Sequence, residues 1–539
     1  MQKTKQKVQR IAAVFLTAMA LMLLAACSGA SNDNTSGTEQ TGEAQADTGN
    51  GNTSDNGAAG SGTLVIALSQ DIDTLDTHGT TAISTESVMV NLQSYLLKRD
   101  NEGTLHPHLA ESYEALDDTT WSFTLRDNIL FHNGDPLTAE DVKFSLERVA
   151  HDNKLVQHAN FKSILEVNVL DPLNFEIITD GPDPALPYRL AREAAGIFPK
   201  NYIEENGWDA FQQHPVGSGP YEFVEWLKGD RMTMKKFDDY FEGDVSEWDT
   251  VVFRTIMETS TRVAELMTGG VHVASSIPPT DLDRVNNNDG TSVIKSDTTT
   301  VRMLYVNQNE QFKTSDPRVV QAIDYAIDNQ VLSDIFANGE GTPTRTRPVP
   351  GTFGFDESLY DTYRYDPERA RELLAEAGYN NNLEITLTSS QGRSYADSDT
   401  AQVIAGMLEE VGIKVNLDLL EASNYVSVRT NGENKELLFT GWNNTLFDAS
   451  HALGHFHSTY QPAAFGYSNP RVDELLDAAA VNMDPDSRAE QYKEIQQIVA
   501  EEMPYIYLYQ DVSFMGMSDS LDYEPRIDQM FHVDEIKSK

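Results

Sequence analysis

Cysteine is all but absent: Cys27 is the only one in 539 residues, so no intrachain disulfide can form. Cations are scarce as well, with 40 Lys and Arg against 84 Asp and Glu and a formal net charge of −44. A field of that sign opposes nucleic acid and anionic membrane surfaces and favours solubility. Catalytic signatures are missing too. There is no Gly-x-Ser-x-Gly elbow, and "GSGPY" (217–221) lacks the Gly-Lys-Ser/Thr of a phosphate loop. Glu222 stands where a dinucleotide fingerprint needs its third glycine, so the segment reads as a turn. Carboxylates are so frequent that their proximity in sequence says nothing about acid-base pairing. The expectation is a protein that is not an enzyme and carries no cofactor or resident metal.

What is present starts with a leader. Lys3, Lys5, Lys7 and Arg10 precede an uncharged run from Ile11 to Leu24, then Ala25, Ala26 and Cys27. A basic start, a short apolar run and small residues describe a secretory signal better than a membrane span. For Cys27 itself the choice lies between an anchoring residue and a buried thiol. From Ser28 to Gly60 there is no aromatic, no branched aliphatic and no cation. Such a stretch cannot bury apolar surface and reads as a disordered tether with a reach of about 30 Å. The rest, at 40% hydrophobic overall, is long enough for two or three domains.

Beyond Thr63 strand-like and helix-like stretches alternate. "TLVIALS" (63–69) and "WSFTLRDNILF" (121–131) predict strands, and "EVNVLDPLNFEIIT" (166–179) predicts two around an Asp-Pro turn. Thr138 with Asp141 three residues on predicts a capped helix. Asp316 and Asp366, each followed by proline, predict two more, the second ended by Gly378. Residues 383–390, 399–412, 413–421 and 435–442 read as strand, helix, strand and strand, hence a largely parallel sheet. Ligands of open α/β sheets sit outside the carboxyl ends of the strands. That rule places Arg393 and the Trp442 to Asp448 loop near one crevice.

The same loop opens "GWNNTLFDASHALGHFHS" (441–458), with three histidines. His451 and His455 are four apart, one face of a helix, yet Ala452 follows the first where a zincin needs glutamate. Core or helix-face histidines are therefore preferred over a metal site.

Four segments resemble one family: "LAESYEALDDTTWSFTLRDNILFHNGDPLTAEDVKFSLERV" (109–149), "HPVGSGPYEF" (214–223), "DPRVVQAIDYAID" (316–328) and "YDPERARELLAEAGY" (365–379). They are similar to the extracytoplasmic solute-binding proteins, family 5, of peptide and nickel ABC importers, across nearly all of 61–539. The resemblance implies an α/β, two-lobed periplasmic-binding-protein (flytrap) fold with an extra inserted subdomain. Lobe I would combine 61–98, 216–300 and 505–539, with 99–215 inserted, and lobe II would be 301–504. Closure over a ligand would be a hinge motion. "LLAACSG" resembles a bacterial lipobox, which makes 1–27 a lipoprotein signal peptide and Cys27 a lipidated anchor to the cell membrane. The implied protein is an extracytoplasmic, lipid-anchored monomer. It would deliver a short peptide to ABC permease subunits with cytoplasmic ATPases.

Site residues follow from the same resemblance. Dipeptide receptors of the family hold the ligand carboxylate with an arginine where "SSQGRSYADS" places Arg393, a residue that could equally form a surface ion pair. They hold the amine with an aspartate three residues after the tryptophan of "GW", where this chain has Thr445. That departure points toward glutathione or other modified peptides. Asp448 is the expected substitute partner for a ligand cation, and Trp442 is expected to pack on the ligand. Thr80 and Thr81 resemble pocket positions on the opposite lobe, or cap a helix. A nickel or metal-chelate receptor of the same fold is the alternative, and an extracellular metalloenzyme is the remote one.

Overall fold

A computed structural model describes residues 62–460 and 465–539. The expected signal peptide, Cys27 and the expected tether lie outside the described residues. Among the described residues no helix is long and apolar enough to cross a membrane.

An eleven-stranded sheet runs through the molecule, and two long strands, Thr291–Val306 and Tyr505–Ser518, pair antiparallel at its centre. Their register breaks between Asp297 and Val301, and that irregularity divides the sheet. On one side lie Val273–Ala274, Thr63–Leu68, Thr250–Thr255, Arg231–Lys236 and Tyr221–Leu227. On the other lie Leu437–Asn443, Leu383–Gln391 and, at the edge, Ile413–Glu421. Tyr505–Gln510 pair with Val301–Tyr305, and Tyr505–Tyr509 pack in the second half, so this strand crosses near Asp511.

The second half-sheet is the parallel unit expected from sequence. Leu383–Gln391 pairs parallel with Ile413–Glu421 and with Leu437–Asn443. Leu383–Gln391 is buried along almost its whole length because helices cover both faces. Pro317–Ala326, Pro367–Glu376 and Asp397–Glu410 close one face around Leu304, Ile323 and Ile404. Pro470–Val481 and Pro485–Glu502 close the other around Met303, Tyr492 and Ile495. The aspartates before the first two prolines cap as the pattern demanded, Asp316 accepting from Arg318 N–H and Asp366 from Arg369 N–H.

The inserted region has its own core around Phe123, Val142, Phe161 and Phe175. Its antiparallel sheet runs in the order Ala110–Ala115, Thr120–Leu125, Asn174–Thr179, Ile164–Val169. Helix Ala139–His151 packs on it and begins with the Thr138 and Asp141 capping box. Such a cap contributes about 1 kcal/mol. The strand expected over 121–131 ends at Leu125, because Asn128 takes a positive φ of 63° and turns the chain. "GSGPY" is a turn pressed beneath helix Ile83–Leu92. A Cβ on Gly217 would lie 1.9 Å from the Leu92 carbonyl oxygen, which leaves room only for glycine.

Candidate ligand-binding cleft

Between the two half-sheets lies a cleft of about 760 Å³, within the usual size for a small-molecule site. Ser69 and Gln70 reach it from the carboxyl end of Thr63–Leu68, and Gly392 and Arg393 from the carboxyl end of Leu383–Gln391. Asn443 and Gln529 line both this cleft and an enclosed chamber of about 40 Å³ that also touches Thr445 and Phe447. The chamber has room for a water or the tip of a side chain.

Arg393 stands at the cleft with its side chain 26% exposed. Its Nη1 is buried and has no hydrogen-bond partner. The nearest carboxylate, Asp397, is 3.8 Å away and already engaged: its Oδ1 accepts from Arg302 Nη1 at 3.1 Å and its Oδ2 from the Ser390 hydroxyl. Arg302 in turn donates through Nε to Asp511 at 2.7 Å. Burial alone would lower the Arg302 pKa, but Asp511, Tyr509 and Asp397 outweigh it and hold the group above its ordinary value. Two guanidinium groups thus share one buried carboxylate. Arg393 Nη1 is left without a bond, and its guanidinium lies 5.4 Å from the ring centre of Tyr425.

Trp442 lies elsewhere than expected. Side chains alternate along a strand, and Gly441 and Asn443 face the cleft. Trp442 therefore points to the opposite face, where the Arg347 guanidinium lies 3.2 Å from its ring centre. His451 and His455 pack against the same indole at 4.6 and 5.6 Å between ring centroids. Burial first, and Arg347 after it, push both imidazoles well below their ordinary pKa. Among the described residues no group of three or more His, Cys, Asp or Glu is arranged to hold a metal ion.

Asp448 needs correction as a ligand partner. It is 0% exposed, both oxygens are held by Arg488 at 2.8 Å, and Oδ1 also accepts from Ser450 N–H to cap helix Ala449–Leu453. The carboxylate is already neutralised. Thr80 is buried, its hydroxyl donating to Asp73 at 2.9 Å and accepting from Ala82 N–H at 3.0 Å. It shapes the turn into helix Ile83–Leu92, whose Ile83 reaches the cleft instead. Thr81 is exposed. The cleft thus brings Arg393 together with the unforeseen Arg302, Asn443 and Gln529, while Thr445 lines the adjoining chamber. Arg302 carried a readable signal, a lone cation within the apolar run "VRMLYV".

A divided sheet, two helix-covered halves and a polar cleft at the strand ends define a two-lobed solute-binding protein. The profile of the bacterial extracellular solute-binding proteins, family 5 (middle), matches residues 104–463, and the chain belongs to that family. It is 31% identical over 457 residues to the glutathione-binding protein GsiB of Salmonella paratyphi A, covering 83% of this chain and 88% of that protein. Among solved structures it is similar to AgaA of A. tumefaciens R10 in complex with agropinic acid. That match has a TM-score of 0.71 and 26% identity, over 89% of this chain and 99% of AgaA. The substrate-binding protein CtaP of Listeria monocytogenes shares the fold at a TM-score of 0.80 and 21% identity, over 88% of this chain and 99% of that one.

Proposed function

We propose that this chain is the substrate-binding lipoprotein of an ABC importer, capturing short peptides or glutathione-like acids between its lobes for a membrane permease. The observation that carries the reading is the buried, unbonded Nη1 of Arg393 at the cleft. A carboxylate is the natural acceptor for such a donor, and a guanidinium can grip it through two parallel hydrogen bonds. The likeness to GsiB and the Thr445 departure support a ligand whose amine is held differently from that of a simple dipeptide. The lobes follow the resemblance, lobe I as 61–98, 216–300 and 505–539 with 99–215 inserted and lobe II as 301–504, with the packing of Tyr505–Tyr509 in the second half supporting a later crossing near Asp511. The chain is read as a monomer anchored through a lipid on Cys27, for which the check is release of a Cys27→Ala variant from the membrane fraction.

The decisive experiment is a thermal-shift and calorimetric screen of short peptides, glutathione, amino acids and nickel chelates. A true ligand at 100 times its dissociation constant stabilises by about 2.7 kcal/mol. Arg393→Ala is expected to weaken peptide binding by on the order of 2 to 5 kcal/mol, with Lys rescuing only part. Amidating the peptide's C-terminus should weaken wild-type binding strongly and the Ala variant hardly at all. Equal binding of acid and amide by wild type removes the carboxylate assignment, and a response confined to nickel chelates removes the peptide reading.

A further inference from the structure

A third space lies beyond the chamber. Its lining is aromatic and proline-rich: Tyr113, Trp121, Pro187 and Tyr188 on the inserted region, with Phe353 and Pro485 opposite, around about 640 Å³. Two buried polar atoms in its wall, Trp121 Nε1 and Thr352 Oγ1, have no hydrogen-bond partner. This groove shares no lining residue with the cleft or the chamber.

What stands between is a contact across the lobes. Arg99, at the end of strand Leu97–Arg99, lays its guanidinium 4.2 Å from the ring centre of Phe447, which is 2% exposed. Arg99 Nη2 donates to the carbonyls of Leu446 at 3.3 Å and Tyr188 at 3.1 Å. The Arg99 carbonyl accepts from Arg526, which Asp528 holds. Arg99 and Phe447 both line the chamber, while Tyr188, which bonds Arg99, and Phe353, whose N–H donates to the Phe447 carbonyl at 2.9 Å, line the groove. Phe447 holds this place at a φ of 56°, a left-handed conformation that is strained for an aromatic residue and recurs at ligand clamps.

We infer that Arg99 and Phe447 form an end wall that limits ligand length, and that the aromatic groove behind it is a latent subsite for the next apolar residue of a longer peptide. This rests on the peptide reading above. A peptide with its carboxylate at Arg393 would run past Asn443, which lines both spaces, and only the tip of its far end would enter the small chamber beside Thr445 and meet the Phe447 ring. With the ring removed, the groove offers the stacking faces of Tyr113, Trp121 and Tyr188 for an apolar side chain.

The test is calorimetry with a ladder of free-acid alanine peptides, two to six residues long, each with phenylalanine at its N-terminus. The proteins are wild type, Phe447→Gly, and Phe447→Gly with Trp121→Ala. Glycine accepts the positive φ without strain, and a thermal melt confirms folding. Arg99→Gln is a second variant that loosens the wall without touching the backbone. Wild-type affinity is expected to drop at least about tenfold, or 1.4 kcal/mol, between three and five residues. Phe447→Gly should recover that loss for the longer peptides relative to its own affinity for the short ones, and Trp121→Ala should abolish the recovery. An unchanged ladder in both wall variants, or a recovery indifferent to Trp121, overturns the inference. Failure of wild type to bind any peptide of the ladder defeats the peptide reading instead.

Discussion

Asp448 and Arg488 face each other through two parallel hydrogen bonds, Oδ2 to Nη1 and Oδ1 to Nη2, both 2.8 Å, with neither side chain more than 2% exposed. Arg488 Nη2 also donates to the Tyr492 hydroxyl at 3.1 Å, and Nε to the Ala479 carbonyl at 3.2 Å. The pair ties the loop after Leu437–Asn443 to helix Pro485–Glu502. Removing one partner strands the other as a buried charge, which costs about 3 to 5 kcal/mol.

Asp448→Asn is therefore expected to lower urea stability by roughly that amount, and Asp448→Leu with Arg488→Met to recover most of it. Peptide affinity per folded molecule should stay within a few-fold of wild type. A stable Asp448→Asn variant that has lost its ligand would return this residue to the binding site.

The carboxylate's role could not be read from the loop because its partner lies forty residues along the chain, and spacing carries no information about that meeting. Trp442 was more legible than the expectation made of it. Gly441 and Asn443 face the cleft, and the period of two along a strand turns the residue between them away. Local rules succeeded where they were sufficient. The caps at Thr138, Asp316 and Asp366 form as predicted, and the parallel order of 383–391, 413–421 and 437–443 follows from strand, helix, strand. Arg393 reaches the cleft because a strand end is a position topology dictates. Arg302, which holds the Asp397 carboxylate beside it, and Asp511, which holds Arg302, come from the two long central strands, whose pairing is wholly long-range.

His78 sets an acid-side limit on stability. It is 0% exposed, its Nδ1 accepts from Arg148 Nη1 at 2.8 Å, and Phe198 packs edge-on at 4.9 Å. Burial pushes its pKa down to about 3, with Asp76 opposing and Arg148 reinforcing. The unfolded chain takes up this proton near pH 6.5 while the folded chain does not, so stability is lost as pH falls from 6.5 toward 3. By pH 5 the loss from this one group is about 2 kcal/mol. Urea titrations of wild type and His78→Gln at pH 7.5 and pH 5 should show the gap between them narrowing by that amount. A gap that does not change with pH means the folded imidazole takes up its proton over the same pH range as the unfolded one.

Arg302 is expected to control ligand affinity without touching the ligand. It holds Asp397 Oδ1 at 3.1 Å, while Arg393 lies 3.8 Å from Oδ2 of the same carboxylate. Replacing Arg302 by Met leaves the nearly buried Asp397 with Ser390 and Arg393 alone. The uncompensated carboxylate should then draw Arg393 into a direct pair and compete with the ligand's own carboxylate. Peptide affinity should fall by about tenfold, or 1.4 kcal/mol. Adding Asp397→Asn removes the competitor, so the double variant should bind within about threefold of wild type although each change perturbs the same network. Calorimetry on the four proteins of this cycle decides the matter: if Arg302→Met binds as tightly as wild type, Asp397 does not compete for Arg393, and the arginine's donors are directed to the cleft by the loop alone.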